Sequence, residues 1–232
     1  MFTKSFVAGL SLVAGLVGSA SASVSTFAVY NPILGATNMS LTGLALSVAA
    51  PVDFQYQVPS LLGLGVLRSN MTLSATETGA VAFGPIALAS FDGSFSIDYA
   101  GATKTVGGIT VTTGESLLSG TFLGSVASFY GSTGTLQDSI LAGGLVQFNN
   151  NPLLTFSPIA DQGFSFSLTG VNPTTSVVAG KLTPFVGVSQ GQFAADVTPS
   201  LPVPEPSAFA MMMIGGVVVG FASRRGRKVT FA

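Results

Sequence analysis

The sequence predicts a mainly β protein, an antiparallel β-sandwich or jelly-roll-like body held between two terminal signals. Three observations carry that expectation. Apolar and polar residues alternate with a period of two in many short segments, which is the mark of half-buried strands. Clusters of Gly, Pro, Asn and Ser part these segments about every ten residues, the spacing of an all-β sandwich or barrel. No long amphipathic helix interrupts residues 23–201, and the β-branched and aromatic residues there suit a pleated surface.

The chain begins with a secretory signal over residues 1–22. Lys4 is the positive n-region, residues 6–17 the apolar core, and Ala20-Ser21-Ala22 the small-residue cleavage site, so the mature chain would start at Ser23. Val24, Phe27, Val29 and Tyr30 open the body, with a turn expected at Asn31-Pro32. Leu44, Leu46 and Val48 alternate, and Val52, Phe54, Tyr56 and Val58 do so cleanly against Asp53, Gln55 and Gln57. Residues 60–67 are a more continuous apolar run that periodicity alone leaves open, a buried strand being one solution. Met71, Leu73 and Ala75 share one face, as do Phe95, Ile97 and Tyr99. Ile109 and Val111 follow Gly107-Gly108, and Gly114-Glu115 is the next turn.

After a break at Gly131 to Gly134, residues 137–148 fit a short helix or a strand bent across Gly143-Gly144. Asn149-Asn150-Asn151-Pro152 is a loop. Phe164, Phe166 and Leu168 then alternate with hydroxyl residues, Val171-Asn172-Pro173 turns, and segments 176–179, 182–188 and 191–197 complete the set.

Composition excludes several functions. The body keeps Arg68, Lys104 and Lys181 against eight acids, a net charge of −5, so it cannot neutralise a run of phosphates and nucleic acid is no partner. Surface hydration must come from Ser, Thr, Gly, Asn and Gln, which predicts tolerance of salt. With no Cys and no His there is no disulfide, no thiolate or imidazole metal site and no Ser-His-Asp or Cys-His constellation. Phosphate-cradling and dinucleotide fingerprints are missing. Carboxylate pairs are the one catalytic chemistry left open, with Asp92, Asp98 and Glu115 as candidates for a glycoside hydrolase. Isolated acids in turns usually face solvent, and the expectation is a non-catalytic protein without cofactor or metal. Exposed Tyr56, Tyr99 or Tyr130 would suit sugar stacking, whereas core filling is the ordinary fate of such rings. Asn38-Met39-Ser40 and Asn70-Met71-Thr72 match the N-glycosylation pattern.

Residues 202–232 form three zones in series. Pro202, Pro204 and Pro206 make a stiff extended spacer. The uncharged apolar run 208–222 can satisfy its backbone in lipid only as a helix. Arg224, Arg225, Arg227 and Lys228 then hold the C-terminus on the cytoplasmic side. Fifteen helical residues rise about 22 Å, short of a ~30 Å hydrocarbon core, which disfavours the alternative of a permanent single-span anchor.

The order Val-Pro-Glu-Pro-Ser, short apolar helix and Arg-rich end resembles the PEP-CTERM sorting signal of Gram-negative bacteria. The match is carried by Pro204, Glu205 and Pro206, the helix and the four cations, about an eighth of the chain, and Val229 to Ala232 extend past it. The resemblance implies export across the inner membrane, recognition of the tail in the membrane by an exosortase, and cleavage near Pro204–Pro206. The mature body would then lie at the cell surface or outside the cell. Its expected partners are the exosortase, the export machinery, the membrane and an exopolysaccharide or biofilm matrix. A secreted carbohydrate-binding module is the alternative, and a carboxylate-dependent hydrolase the next.

Overall fold

The computed structural model describes residues 25–33, 38–138, 145–157 and 162–199. Among the described residues sixteen strands follow one another: β1 (Ser25–Pro32), β2 (Met39–Thr42), β3 (Ala45–Tyr56), β4 (Leu67–Phe83), β5 (Ile86–Tyr99), β6 (Lys104–Val106), β7 (Ile109–Val111), β8 (Ser116–Tyr130), β9 (Thr133–Gln137), β10 (Leu145–Phe148), β11 (Leu154–Phe156), β12 (Gln162–Asn172), β13 (Val177–Val178), β14 (Lys181–Leu182), β15 (Phe185–Ala195) and β16 (Val197–Pro199). Among the described residues no helix is long and apolar enough to cross a membrane.

The mainly antiparallel β expectation holds, but the sheet closes on itself as an eight-stranded barrel, neither a two-layer sandwich nor a jelly roll. The path is a meander in which each wall strand pairs with the next in sequence. β1 pairs with both β3 and β15, with Ser25 opposite Ala195 and Ala28 opposite Tyr56, so first and last strands seal the wall. Closure removes most of the exposed edges that an open meander would carry, leaving the end of β4 that runs past β3. Two of the eight positions are split. β1 and β2 run in line between β3 and β15, and β9 and β10 both pair with β8, at Val126–Tyr130 and at Gly120–Leu123.

The strand signals explain the lumen. β3 alternates Leu46, Val48, Val52, Phe54 and Tyr56 inside with Ser47, Asp53 and Gln55 outside. Eight strands leave an interior just wide enough for side chains to fill, and aromatic rings fill it here. Phe95 stacks on Phe193 at 5.3 Å, Phe27 meets Phe148 and Phe156 edge-on at 5.4 and 5.3 Å, and Phe122 lies 5.1 Å from Phe164. Such pairs contribute about 0.5–1.5 kcal/mol each beyond their burial.

Strand direction sorts the connections into two mouths. The first carries Ser25, Ala195 and the links after β3, β5 and β10; the second carries the hairpins after β2, β4 and β8 and the β13–β14 excursion. Residues 60–67 supply a turn of 3-10 helix at Leu62–Leu64, not a strand, and its Leu61 and Leu64 close the first mouth. The expected turn at Asn31-Pro32 is strand instead, paired with Asp53 and Val52. Of the segment 137–148, Gln137 ends β9 and 145–148 form β10; the residues between 138 and 145 lie outside the description. The expected signal peptide (residues 1–22) and the tail 202–232, with its expected helix 208–222, lie outside it as well.

Candidate functional site

The barrel gives its acids local structural tasks. Asp92 accepts the Gly124 N–H at 2.7 Å, bridging the bulges of β5 and β8. Asp98 accepts the Ser96 hydroxyl at 3.0 Å, and Glu115 closes its own turn by accepting the Thr112 N–H at 2.9 Å and its hydroxyl at 3.1 Å. Asp53 pairs with Arg68 at 3.3 Å across β3 and β4, on the outside. No group of three or more acids is gathered as a metal cage among the described residues.

The tyrosines divide. Tyr56 and Tyr99 are buried, their hydroxyls donating to Leu117 O and Ala102 O at 2.7 Å, so the surface role considered for them is overturned. They lie on the inward face of their strands, and the barrel needs rings there. Burial, with the Glu115 charge second, pushes the Tyr56 hydroxyl up. Only Tyr130 of the three is exposed, at 64%.

Two interior polar groups had no signal in the sequence beyond their residue type. Asn38 forms a reciprocal pair with Ser189, accepting its N–H at 2.6 Å and donating to its carbonyl at 3.1 Å, while Tyr30 donates to the Ser189 hydroxyl at 3.0 Å. Asn38 is therefore committed inside the wall, and of the two glycosylation-pattern residues only Asn70 faces solvent. Glu77 points inward at the second mouth, only 4% exposed, and its carboxylate accepts the Leu182 N–H at 3.1 and 3.3 Å. Desolvation raises its pKa, against the opposing pull of that N–H and of Lys181.

Outside, the wall is mostly hydroxyl and amide. Ser40 bonds Ser47 at 3.1 Å and Thr72 bonds Ser96 at 2.8 Å, each pair directly opposite across two wall strands, and Thr105 bonds Thr110 at 2.9 Å in the separate β6–β7 hairpin. Shallow depressions cross this wall, one lined by Asn31, Ser165, Ser167, Gln190 and Gln192 and another by Ser128, Thr133, Thr135 and Thr169. This polarity, apolar within and hydrophilic without, is the reverse of a lipid-spanning barrel.

The fold thus defines a closed antiparallel barrel with a filled lumen and a hydroxyl-rich outer wall, whose first strand begins and last wall strand ends at the same mouth. C-terminal to the barrel in sequence, residues 202–228 match the PEP-CTERM protein-sorting motif, so the chain carries a PEP-CTERM sorting signal. The motif implies export, a membrane-associated C-terminal signal and an exosortase as processing partner. No curated protein and no solved structure matches the chain. Ala20, Ala22, Pro204, Glu205, Pro206, Arg224, Arg225, Arg227 and Lys228 all lie outside the described residues.

Proposed function

We propose that the chain is an exported, non-catalytic surface or extracellular-matrix protein, its barrel released or attached after an exosortase cuts near Pro204–Pro206. The observation that carries this reading is the sorting motif at 202–228, placed directly behind a finished barrel. Ser25 pairs with Ala195 and the last strand ends at Pro199, so cuts after Ala22 and near Pro204 remove no wall strand. The mature body keeps every pairing described above.

The non-catalytic part is supported by two features. Side chains occupy the lumen where a ligand-binding barrel keeps a cup, and Asp92, Asp98 and Glu115 are each engaged in bonds that set a bulge, a strand end or a turn. A hydroxyl-rich wall with few charges suits a hydrated biofilm or exopolysaccharide matrix, to which it would present many weak hydrogen-bonding groups.

Intact mass of the protein from membrane and culture-medium fractions of its native host tests the reading. A species running from Ser23 to a residue near Pro204–Pro206 is the expected result. A species that retains Arg224 to Ala232 and occurs only in membranes would make the protein a single-span anchored ectodomain.

A further inference from the structure

At the second mouth the hydroxyl wall gives way to apolar side chains on three adjoining strands. Phe83 lies opposite Ile86, Ile86 opposite Tyr130, and Val81 opposite Leu88. All five point outward, since the alternate Ala87, Ala89 and Phe129 are buried in the lumen. Phe83 and Tyr130 are each 64% exposed and Val81 50%. An open depression of about 410 Å³ beside them is lined in part by Val81, Leu88 and Val126. No charged residue occurs from Gly79 to Phe91, nor anywhere in β8.

Next to this patch the wall has a free edge. β3 accompanies β4 only as far as Thr76. Beyond it the Ala80 N–H donates to Gly180 O at 3.1 Å, pointing away from β5. In an antiparallel ladder the residue two positions on faces the same way, so the Ala82 N–H and C=O also face outward, and no described strand meets them. Native edges are commonly guarded by a charge, a bulge or a proline; between Ala80 and Phe83 there is none of these.

We propose that this edge and patch bind a second copy of the chain, two β4 strands pairing antiparallel about a two-fold axis at Ala82. Such an isologous contact is self-complementary: the two Ala82 residues exchange both backbone hydrogen bonds, and Val81 of one copy stands opposite Phe83 of the other. Two uncharged patches meet without like-charge repulsion. A lipid surface is the poorer occupant, because β15 ends at Ala195 at the opposite mouth, and the described chain continues from there only to Pro199. A glycan could stack on the Phe83 and Tyr130 rings, but it does not supply the alternating N–H and C=O groups of a strand that the unpaired β4 edge is shaped to meet. The pairing is independent of how the tail is processed.

The absence of native cysteine makes the test direct. In the full chain, Ala82→Cys would place two thiols on a residue pair with Cα atoms about 5.5 Å apart, within disulfide range. Mild oxidation should then give a thiol-reversible dimer on a non-reducing gel, while the exposed outer-wall variant Ser94→Cys stays monomeric. Adding Phe83→Lys, at a side chain the fold does not bury, should lower the Ala82→Cys dimer yield about tenfold. Cross-linking of Ala82→Cys no greater than of Ser94→Cys, or indifferent to Phe83→Lys, overturns the proposal. Glycan-array binding that Tyr130→Ala abolishes, together with background cross-linking, would assign the patch to a carbohydrate instead.

Discussion

Glu77 is a carboxyl group placed where water is scarce, with a single backbone N–H to satisfy it. Its pKa is raised in the fold, so the folded state holds the proton more tightly than the unfolded chain does. The stability this group contributes is fully present below the ordinary carboxylate pKa and is lost as pH rises through the raised one. Melting temperature should therefore climb as pH is lowered from 7 towards that range, and Glu77→Gln should flatten this part of the profile while keeping the neutral amide oxygen on Leu182 N–H. A variant with an unchanged pH profile would mean that the carboxyl is solvated. Gly191 is a second residue set by its neighbours: a Cβ there would run into the Tyr30 and Phe166 rings. Gly191→Ala should cost about 1–3 kcal/mol in urea denaturation, the usual penalty of overpacking, and a cost near zero would show that those rings can yield.

The split wall position of β1 and β2 is the element that depends most on side chains. Where the two strands part, the ladder to β15 is interrupted, and the reciprocal Asn38–Ser189 bonds stand in for it. Asn38→Ala leaves the Ser189 N–H without its acceptor, so a loss of about 1–3 kcal/mol is expected. Faster amide exchange at Ser189 than at its β15 neighbours is the accompanying sign; equal exchange would contradict it. Pro51 belongs to the same break, falling on β3 between its β2 and β1 pairings, where a missing N–H breaks no bond on that side. The strand faces were legible in the sequence because period-two alternation is set by burial alone. Val52, Phe54 and Tyr56, and Phe164, Phe166 and Leu168, sit inside as their spacing requires. Barrel closure was not legible, because it depends on the pairing of Ser25 with Ala195, about 170 residues away, and alternation is the same in a sandwich and a barrel. Residues 60–67 were ambiguous for a related reason: a capping turn and a buried strand both need a continuous apolar run. Tyr56, Tyr99 and Tyr130 could not be sorted by type, since only register decides which ring faces the lumen.

For the molecule as a whole, charge contributes little to stability. Asp53–Arg68 is the one ion pair found among the described residues, and it is solvent-exposed. Exposed pairs contribute roughly 0–1 kcal/mol and weaken as salt screens them. The wall is hydrated by hydroxyl and amide groups, whose bonds across Ser40–Ser47 and Thr72–Ser96 do not respond to ionic strength. What holds the barrel is the aromatic lumen and a hydrogen-bonded wall closed by β1, β3 and β15. Raising NaCl from 10 mM to 0.5 M, both about, should then move the melting temperature by no more than ~3 °C, the shift that ~1 kcal/mol produces in a domain of this size. Phe193→Ala, which empties the centre of the ring cluster, should by contrast cost about 3–5 kcal/mol in either salt. A melting temperature that fell steeply with NaCl would place the stabilising energy in charges rather than in the lumen. The two measurements together separate the contributions, because salt leaves ring packing untouched and the Phe193 substitution leaves every charge in place.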